Sequence, residues 1–105
     1  MEKYNIQITK PAESDLYGIA RYISYELLEL NVAQKIINKI SNTIYSLEEM
    51  PERHAIIKDE ALAMRKIRKI LIGNYGVFYL VEKDKKLVTI IRILYIKRNW
   101  VDILK

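Results

Sequence analysis

The spacing of the apolar residues changes twice along this chain, and that change limits the folds it can adopt. Residues 4–9 alternate apolar and polar side chains, with the period of two expected of a half-buried strand. Residues 10–50 repeat apolar side chains every three or four positions, as an amphipathic helix does. Residues 65–96 are rich in β-branched and aromatic side chains, which favour strands. The pattern therefore predicts an α+β fold.

Two helices are expected between the first strand and Pro51. Pro11 suits a first helical turn, because its missing N–H would have no partner there. Asn31 interrupts the apolar stripe and Gln34 follows three residues later, so Asn31 is expected to cap the second helix. Met50-Pro51 should end that helix. Because the connection is short, the two helices should fold back as a hairpin.

Three strands are expected in the C-terminal half, over residues 65–72, 75–82 and 87–96. The breaks between them are short enough for hairpins, so these strands should run antiparallel. The last strand carries apolar residues on both sides and should lie inside the sheet. Between helix and strand we expect a loop over residues 51–64 with one helical turn near 59–63. The C-terminal tail is expected to pack Trp100 against the sheet.

The expected element order is β-α-α-β-β-β with a short C-terminal tail or helix. We expect the helical hairpin to pack on one face of a small, mainly antiparallel sheet. The other face should be open, and that face or its rim should carry the positive charge. A chain of 105 residues has room for one core, so residues 1–105 are expected to form a single domain.

The residue types exclude several kinds of chemistry. The chain has no cysteine and one histidine, which leaves no thiol, disulfide or iron–sulfur chemistry and few ways to bind a transition metal. No metal and no cofactor are expected. No apolar run approaches the roughly 20 residues that span a bilayer, so a cytoplasmic protein with no membrane partner is expected.

Basic charge is concentrated in the C-terminal half. Residues 1–54 carry six Lys or Arg and eight Asp or Glu, whereas residues 55–105 carry twelve and five. Such asymmetry favours a polyanion or an acidic protein as partner. The alternatives are a plain soluble surface, or an edge strand that cations protect from aggregation. The candidate effector or nucleic-acid surface consists of Arg65, Arg68, Lys69, Arg92, Lys97 and Arg98.

Arg92 interrupts a strand face that is otherwise apolar. Because an unpaired buried guanidinium is costly, Arg92 must reach solvent, a carboxylate or a ligand phosphate. A structural salt bridge, with Asp102 as the candidate partner, is the interpretation without a ligand. His54 is expected to be an ordinary loop residue, since no orienting carboxylate is assured for it.

Three segments of the chain, in order, resemble the RelE/ParE superfamily of bacterial toxins. They are YNIQIT with PAESDL within residues 4–16, IRKILIGNYGVFY at 67–79, and IRILYIKRNW at 91–100. The resemblance covers nearly the whole chain. It implies the toxin of a type II toxin–antitoxin pair, which inhibits bacterial growth and is neutralised by a small cognate antitoxin. Operator DNA would then be bound through the antitoxin.

The two branches of the superfamily imply different activities. RelE-like toxins cleave mRNA on the ribosome without metal, and this resemblance would place catalytic groups at Lys69 and Arg98, with Tyr95 substituting for a displaced tyrosine. However, the central arginine position of that branch is Gly76 here, and its C-terminal tyrosine position falls near Leu104.

ParE-like toxins act on DNA gyrase and need no catalytic set. The ending at residues 92–98 is closer to this branch, so the resemblance implies gyrase poisoning first. A ribosome-dependent mRNA endonuclease is the alternative. A third is an inactive relative that binds its antitoxin and operator DNA as a co-repressor.

Overall fold

Two long helices pack on one face of a four-stranded sheet in the computed structural model, which describes residues 3–105. The strand order is β1-β4-β3-β2, with β1 parallel to β4 and the other pairs antiparallel. This confirms the predicted element order and the interior position of β4. The elements are β1 (Asn5–Ile8), α1 (Lys10–Arg21), a π-helical turn (Tyr22–Glu26), α2 (Leu30–Ser46), a 3-10 turn (Pro51–Arg53), α3 (Glu60–Met64), β2 (Arg68–Ile72), β3 (Tyr75–Glu82), β4 (Leu87–Tyr95) and α4 (Trp100–Leu104).

The connection between the two long helices differs from the prediction. Asn31 does not cap α2, because the helix already begins at Leu30 and follows Glu29, which makes no side-chain cap hydrogen bond. The chain reverses through Leu28, whose φ of 54° lies in the left-handed region. The amide of Glu29 then bonds the carbonyl oxygen of Ile23 at 3.0 Å. This bond closes the C-terminal end of the first helical segment, much as a Schellman motif does, and the next helix begins directly after it.

The core between the helices and the sheet is apolar and closely packed. Tyr79 on β3 is fully buried, and its hydroxyl donates to the carbonyl oxygen of Pro51 at 2.7 Å. Burial of the phenol raises the pKa of Tyr79 to about 12. The buried members of this cluster include Ala12, Ile19, Ile23, Ala33, Ile40, Ile44, Leu47, Ile70, Ile72, Val77, Val88, Ile90 and Ile93.

The second face of the sheet is not open, so that prediction was wrong. A second apolar cluster lies there, formed by Ile57, Leu62, Ile67, Phe78, Leu94 and Leu104. The predicted helical turn is α3, whose first turn is capped by the Asp59 carboxylate, and it covers this face together with α4. Trp100 packs on Phe78 with ring centroids 5.2 Å apart, as expected for the tail.

The start of β2 also differs from the prediction, for a local reason. β2 begins at Arg68 and not at residue 65, because the amides of Lys66 and Ile67 bond back to carbonyl oxygens at the end of α3. Lys66 also has a φ of 58°, which no strand residue adopts. Along residues 3–105, no helix is both long and apolar enough to cross a membrane.

An irregularity in β4 changes which side chains face the helices. The register with β3 shifts between Phe78 and Tyr79, which pair with Arg92 and Ile90. Ile91 is therefore the extra residue of a β-bulge. Beyond it, Ile93 joins the helix-facing core and Leu94 the second cluster, whereas strict alternation from Val88 and Ile90 would place Leu94 in the helix-facing core.

Arg92 is paired, but its partner is Asp15 on α1 and not Asp102. The Asp15 carboxylate accepts hydrogen bonds from Arg92 Nε at 2.7 Å, Arg92 Nη2 at 2.9 Å and the Ile93 amide at 2.9 Å. This pairing raises the pKa of Arg92. Asp102 instead accepts from Asn99 within the C-terminal turn.

Beyond the end of β1, the Asp15 carboxylate also supplies a hydrogen-bond acceptor for the backbone of β4. The Thr9 amide bonds the carbonyl oxygen of Ile90, the Thr9 hydroxyl donates to the carbonyl oxygen of Ile91, and Asp15 takes the next free amide, that of Ile93. These bonds attach the start of α1 to the centre of the sheet.

We predict that Asp15→Ala lowers the free energy of unfolding by about 2 kcal/mol, because it leaves a half-buried guanidinium and a strand amide without their acceptor. Urea unfolding at neutral pH measures this. Asp102→Ala is the matched control, and we expect it to change stability by less than about 0.5 kcal/mol. Equal losses in the two variants would contradict the assignment.

We predict that stability falls as the pH rises between about 10, where an unfolded tyrosine ionises, and about 12, the pKa of buried Tyr79. Below that window both states hold the phenol proton, so Tyr79 contributes no pH dependence. Tyr79→Phe should lose about 1 kcal/mol at neutral pH with its hydrogen bond, and should show a shallower alkaline decline. Denaturant unfolding across the alkaline range checks this, and identical slopes in the two proteins would contradict it.

Candidate functional site

An open groove of about 770 Å³ lies where the connection between the long helices meets the ends of β3 and β4. We call it the end groove. One wall is the hairpin tip, residues 22–32, and the other is the β4 end, residues 95–98. The lining residues include Gly18, Ile19, Tyr22, Ile23, Leu27, Glu29, Val32, Ile36, Asn74, Tyr75, Ile93, Tyr95 and Arg98.

The walls of the end groove are largely apolar and aromatic. Tyr22, Leu27 and Val32 are each between two-fifths and three-fifths exposed, although all three are large apolar or aromatic residues. Across the groove, Tyr75 and Tyr95 contact edge to face with centroids 5.7 Å apart. Burial and the neighbouring phenols of Tyr95 and Tyr22 raise the pKa of Tyr75. Exposed apolar surface of this kind marks a contact site for another molecule.

The charged side chains of the end groove differ in whether they already have a partner within the chain. The Asp15 carboxylate lines the groove, but its oxygens are engaged by Arg92 and Ile93. Within residues 3–105, the exposed side chains of Glu29 and Arg98 form no hydrogen bond or ion pair with each other or with any other described residue. They remain available to a ligand.

The structure does not bring the predicted cationic surface together. Arg68 bonds the carbonyl oxygen of Glu52 at 3.1 Å and lies 3.5 Å from its carboxylate. Arg65 donates to the carbonyl oxygen of Leu104 at 2.6 Å, while Arg92 is held by Asp15. These three arginines hold elements of the fold together.

The three candidate catalytic residues lie at two separate places. Tyr95 and Arg98 line the end groove, on the helix-facing side of the sheet. Lys69 pairs in register with Phe78 on β3, and its amine lies 4.6 Å from the centre of the Trp100 ring above the second cluster. Of the six predicted surface cations, Lys97 and Arg98 are exposed and make no such internal contact along the described chain.

The two positions that differ from the RelE pattern are filled by apolar packing. A Cβ atom placed on Gly76 would lie 3.0 Å from Cε2 and Cζ of the Phe78 ring and 3.3 Å from Cδ1 of Ile96. Leu104 is buried in the second cluster. A longer side chain at either position would displace that cluster.

His54 is a loop residue, as predicted. Its carbonyl oxygen accepts a hydrogen bond from Arg68, and burial together with the charges of Arg53 and Arg68 lowers the pKa of the imidazole. No carboxylate orients the ring among the described contacts. Across residues 3–105, no three His, Asp or Glu side chains cluster closely enough to bind a metal ion.

The hairpin tip is the part of the site that the sequence analysis missed. The segment 27–32 carries four large apolar residues, more than one helix stripe can bury. That excess of apolar residues at a predicted helix–helix connection was the available signal. The left-handed Leu28 that exposes them could not be read from the sequence, since leucine rarely adopts that conformation.

Comparisons with known proteins agree with the fold. The toxin–antitoxin complex RelBE2 from Mycobacterium tuberculosis contains a chain of similar fold, with 20% identity, coverage of 90% of this chain and 93% of that chain, and a TM-score of 0.68. The chromosomal ParDE toxin–antitoxin system from P. aeruginosa contains another, with 18% identity, 90% and 98% coverage and a TM-score of 0.73. No curated protein sequence matches the chain.

A family profile provides the stronger assignment. The profile described as the ParE toxin of the type II toxin–antitoxin system, parDE, matches residues 6–100. That range includes both walls of the end groove and all four strands except the first residue of β1. The chain is therefore a member of the ParE toxin family of type II toxin–antitoxin systems.

Proposed function

We propose that this toxin inhibits bacterial growth by binding DNA gyrase, without cleaving RNA. The observation that carries the proposal is the separation of the candidate catalytic groups: Lys69 lies above the second cluster, whereas Tyr95 and Arg98 line the end groove. Metal-free RNA cleavage needs a proton-transfer group and cations that converge on one phosphate. A toxin that acts by binding has no such requirement.

The filled second face supports the same proposal. A Cβ atom at position 76 would press on the ring of Phe78 at 3.0 Å, so a side chain there requires that ring to shift, and Trp100 lies on the same ring. Phosphate cannot approach a surface covered by an apolar cluster without displacing it. The sheet face on which RNA chemistry would be expected is therefore part of the core.

The residues that contact gyrase are proposed to be Lys97 and Arg98. Both cations are exposed at the β4 end, next to the aromatic pair of Tyr75 and Tyr95. Exposed cations beside aromatic rings suit a protein interface, in which arginine and tyrosine contribute much of the binding energy. The other predicted cations, Arg65, Arg68, Lys69 and Arg92, are proposed to serve the fold.

The end groove is the proposed binding site of the cognate antitoxin. The two structurally similar proteins both come from toxin–antitoxin systems. Because Thr9 and Asp15 already satisfy the β4 edge at Ile91 and Ile93, a partner cannot add a strand there. It must bind through side chains, as an amphipathic helix does in an apolar groove. Operator DNA would be reached through that antitoxin.

One observation favours a second candidate function. Tyr95 and Arg98 line the same groove, so a phenol and a guanidinium are near one another, as a ribosome-dependent mRNA endonuclease would need. Lys69 would still have to act from elsewhere. We therefore rank this activity below gyrase binding.

We predict that the purified toxin increases gyrase–DNA cleavage complexes and inhibits supercoiling. Lys97→Glu with Arg98→Glu should weaken that inhibition about tenfold or more, since reversed charges at an interface cost several kcal/mol. Lys58→Glu, a reversal at an exposed loop position, is the matched control and should inhibit as the unaltered toxin does. Unchanged supercoiling with the unaltered toxin would contradict the proposal.

We predict that Gly76→Arg does not create RNA cleavage. The new side chain would collide with Phe78 and Ile96, so the free energy of unfolding should fall by about 1–3 kcal/mol, the usual cost of overpacking. Toeprinting of translated mRNA, with urea unfolding beside it, measures both effects. New cleavage ends within codons in a folded Gly76→Arg protein would show that the second face can reach RNA.

A further inference from the structure

The two walls of the end groove carry opposite charge. From residue 22 to 33 the charged side chains are Glu26 and Glu29, and from residue 95 to 100 they are Lys97 and Arg98. Glu29 and Arg98 line the groove, whereas Glu26 and Lys97 lie on the same two segments outside its lining. All four are exposed, and none forms an ion pair among the described residues 3–105. One wall is therefore acidic and the other basic, with both charges unneutralised.

The acidic wall also carries exposed apolar surface that does not line the groove. Tyr25, Leu28 and Leu30 are 72%, 82% and 69% exposed. Each stands at the hairpin tip beside Glu26 or Glu29. A surface that combines large apolar side chains with acids fits a partner that combines apolar or aromatic side chains with cations. The β4 end of this same chain, with Tyr95, Lys97 and Arg98, has that composition.

We propose that, without antitoxin, the toxin forms a two-fold symmetric dimer through the end groove. In such a dimer the hairpin tip of one copy lies against the β4 end of the other, and the reverse contact is made at the same time. Both surfaces border one groove. A two-fold axis that runs along the open side of that groove therefore places each surface of one copy against the opposite surface of the other. Glu26 and Glu29 of each copy then face Lys97 and Arg98 of the other, and the exposed apolar residues are covered.

The arrangement has a regulatory consequence that rests on the proposed function. If the antitoxin helix binds in the end groove, dimer formation and antitoxin binding exclude each other. The dimer itself needs neither gyrase nor antitoxin, so its test stands apart from the test of growth inhibition.

Sedimentation velocity of the purified toxin over a concentration series tests the proposal. We expect a monomer–dimer equilibrium that weakens as salt screens the facing charges. Glu26→Lys with Glu29→Lys reverses the tip, and Lys97→Glu with Arg98→Glu reverses the β4 end. Each reversed protein should dimerise at least about tenfold more weakly, because like charges then face each other. An equal mixture of the two should form heterodimers again, since the opposite charges are restored.

Leu28→Glu tests the apolar part of the contact and should also favour the monomer. Met64→Glu, at a position that is 81% exposed on α3, is its matched control and should leave the equilibrium unchanged. Circular dichroism confirms that each variant is folded. A monomer at every concentration would overturn the proposal, as would a dimer that the charge reversals leave unchanged, or reversed proteins that do not pair when mixed.

Discussion

The carboxylate of Asp15 is the contact on which the arrangement of helices and sheet depends. It accepts two hydrogen bonds from Arg92 and one from the amide of Ile93, and so attaches α1 to the central strand beyond the point where β1 ends. The bulge at Ile91 makes this possible, because it changes the alternation of β4 and brings Ile93 into the helix-facing core. The end groove lies directly beside this connection, and Asp15 and Ile93 are among its lining residues.

The division of the sheet into two covered faces explains how this ParE fold can be rich in cations and still hold most of its strand arginines in contacts within the chain. One face carries the long helices, and the other carries the cluster around Phe78, Trp100 and Leu104. Arginines at the borders bond backbone carbonyls and carboxylates of this chain. Of the six predicted surface cations, the two that stay available, Lys97 and Arg98, are at the β4 end, beside the end groove.

Local patterns predicted most of the fold and little of the site. The two long helices, the helical turn near 59–63 and the three C-terminal strands follow from periodicity and short-range chemistry, which a sequence displays directly. The partner of Arg92 could not be read in that way, because Asp15 is 77 residues away, and the sequence suggested the nearer Asp102 instead. The sequence also does not display the bulge in β4, which exchanges the sheet faces that Ile93 and Leu94 occupy. It does not display the left-handed conformation of Leu28, which exposes the hairpin tip.

The central claim is that this toxin acts through a binding surface at the β4 end and not through chemistry on the sheet. Its most direct test is induction of the toxin without antitoxin in growing bacteria, with the DNA damage response and the 5′ ends of cellular mRNA measured in the same samples. The account predicts a DNA damage response with no new ends inside translated codons. New mRNA ends without a DNA damage response would contradict it.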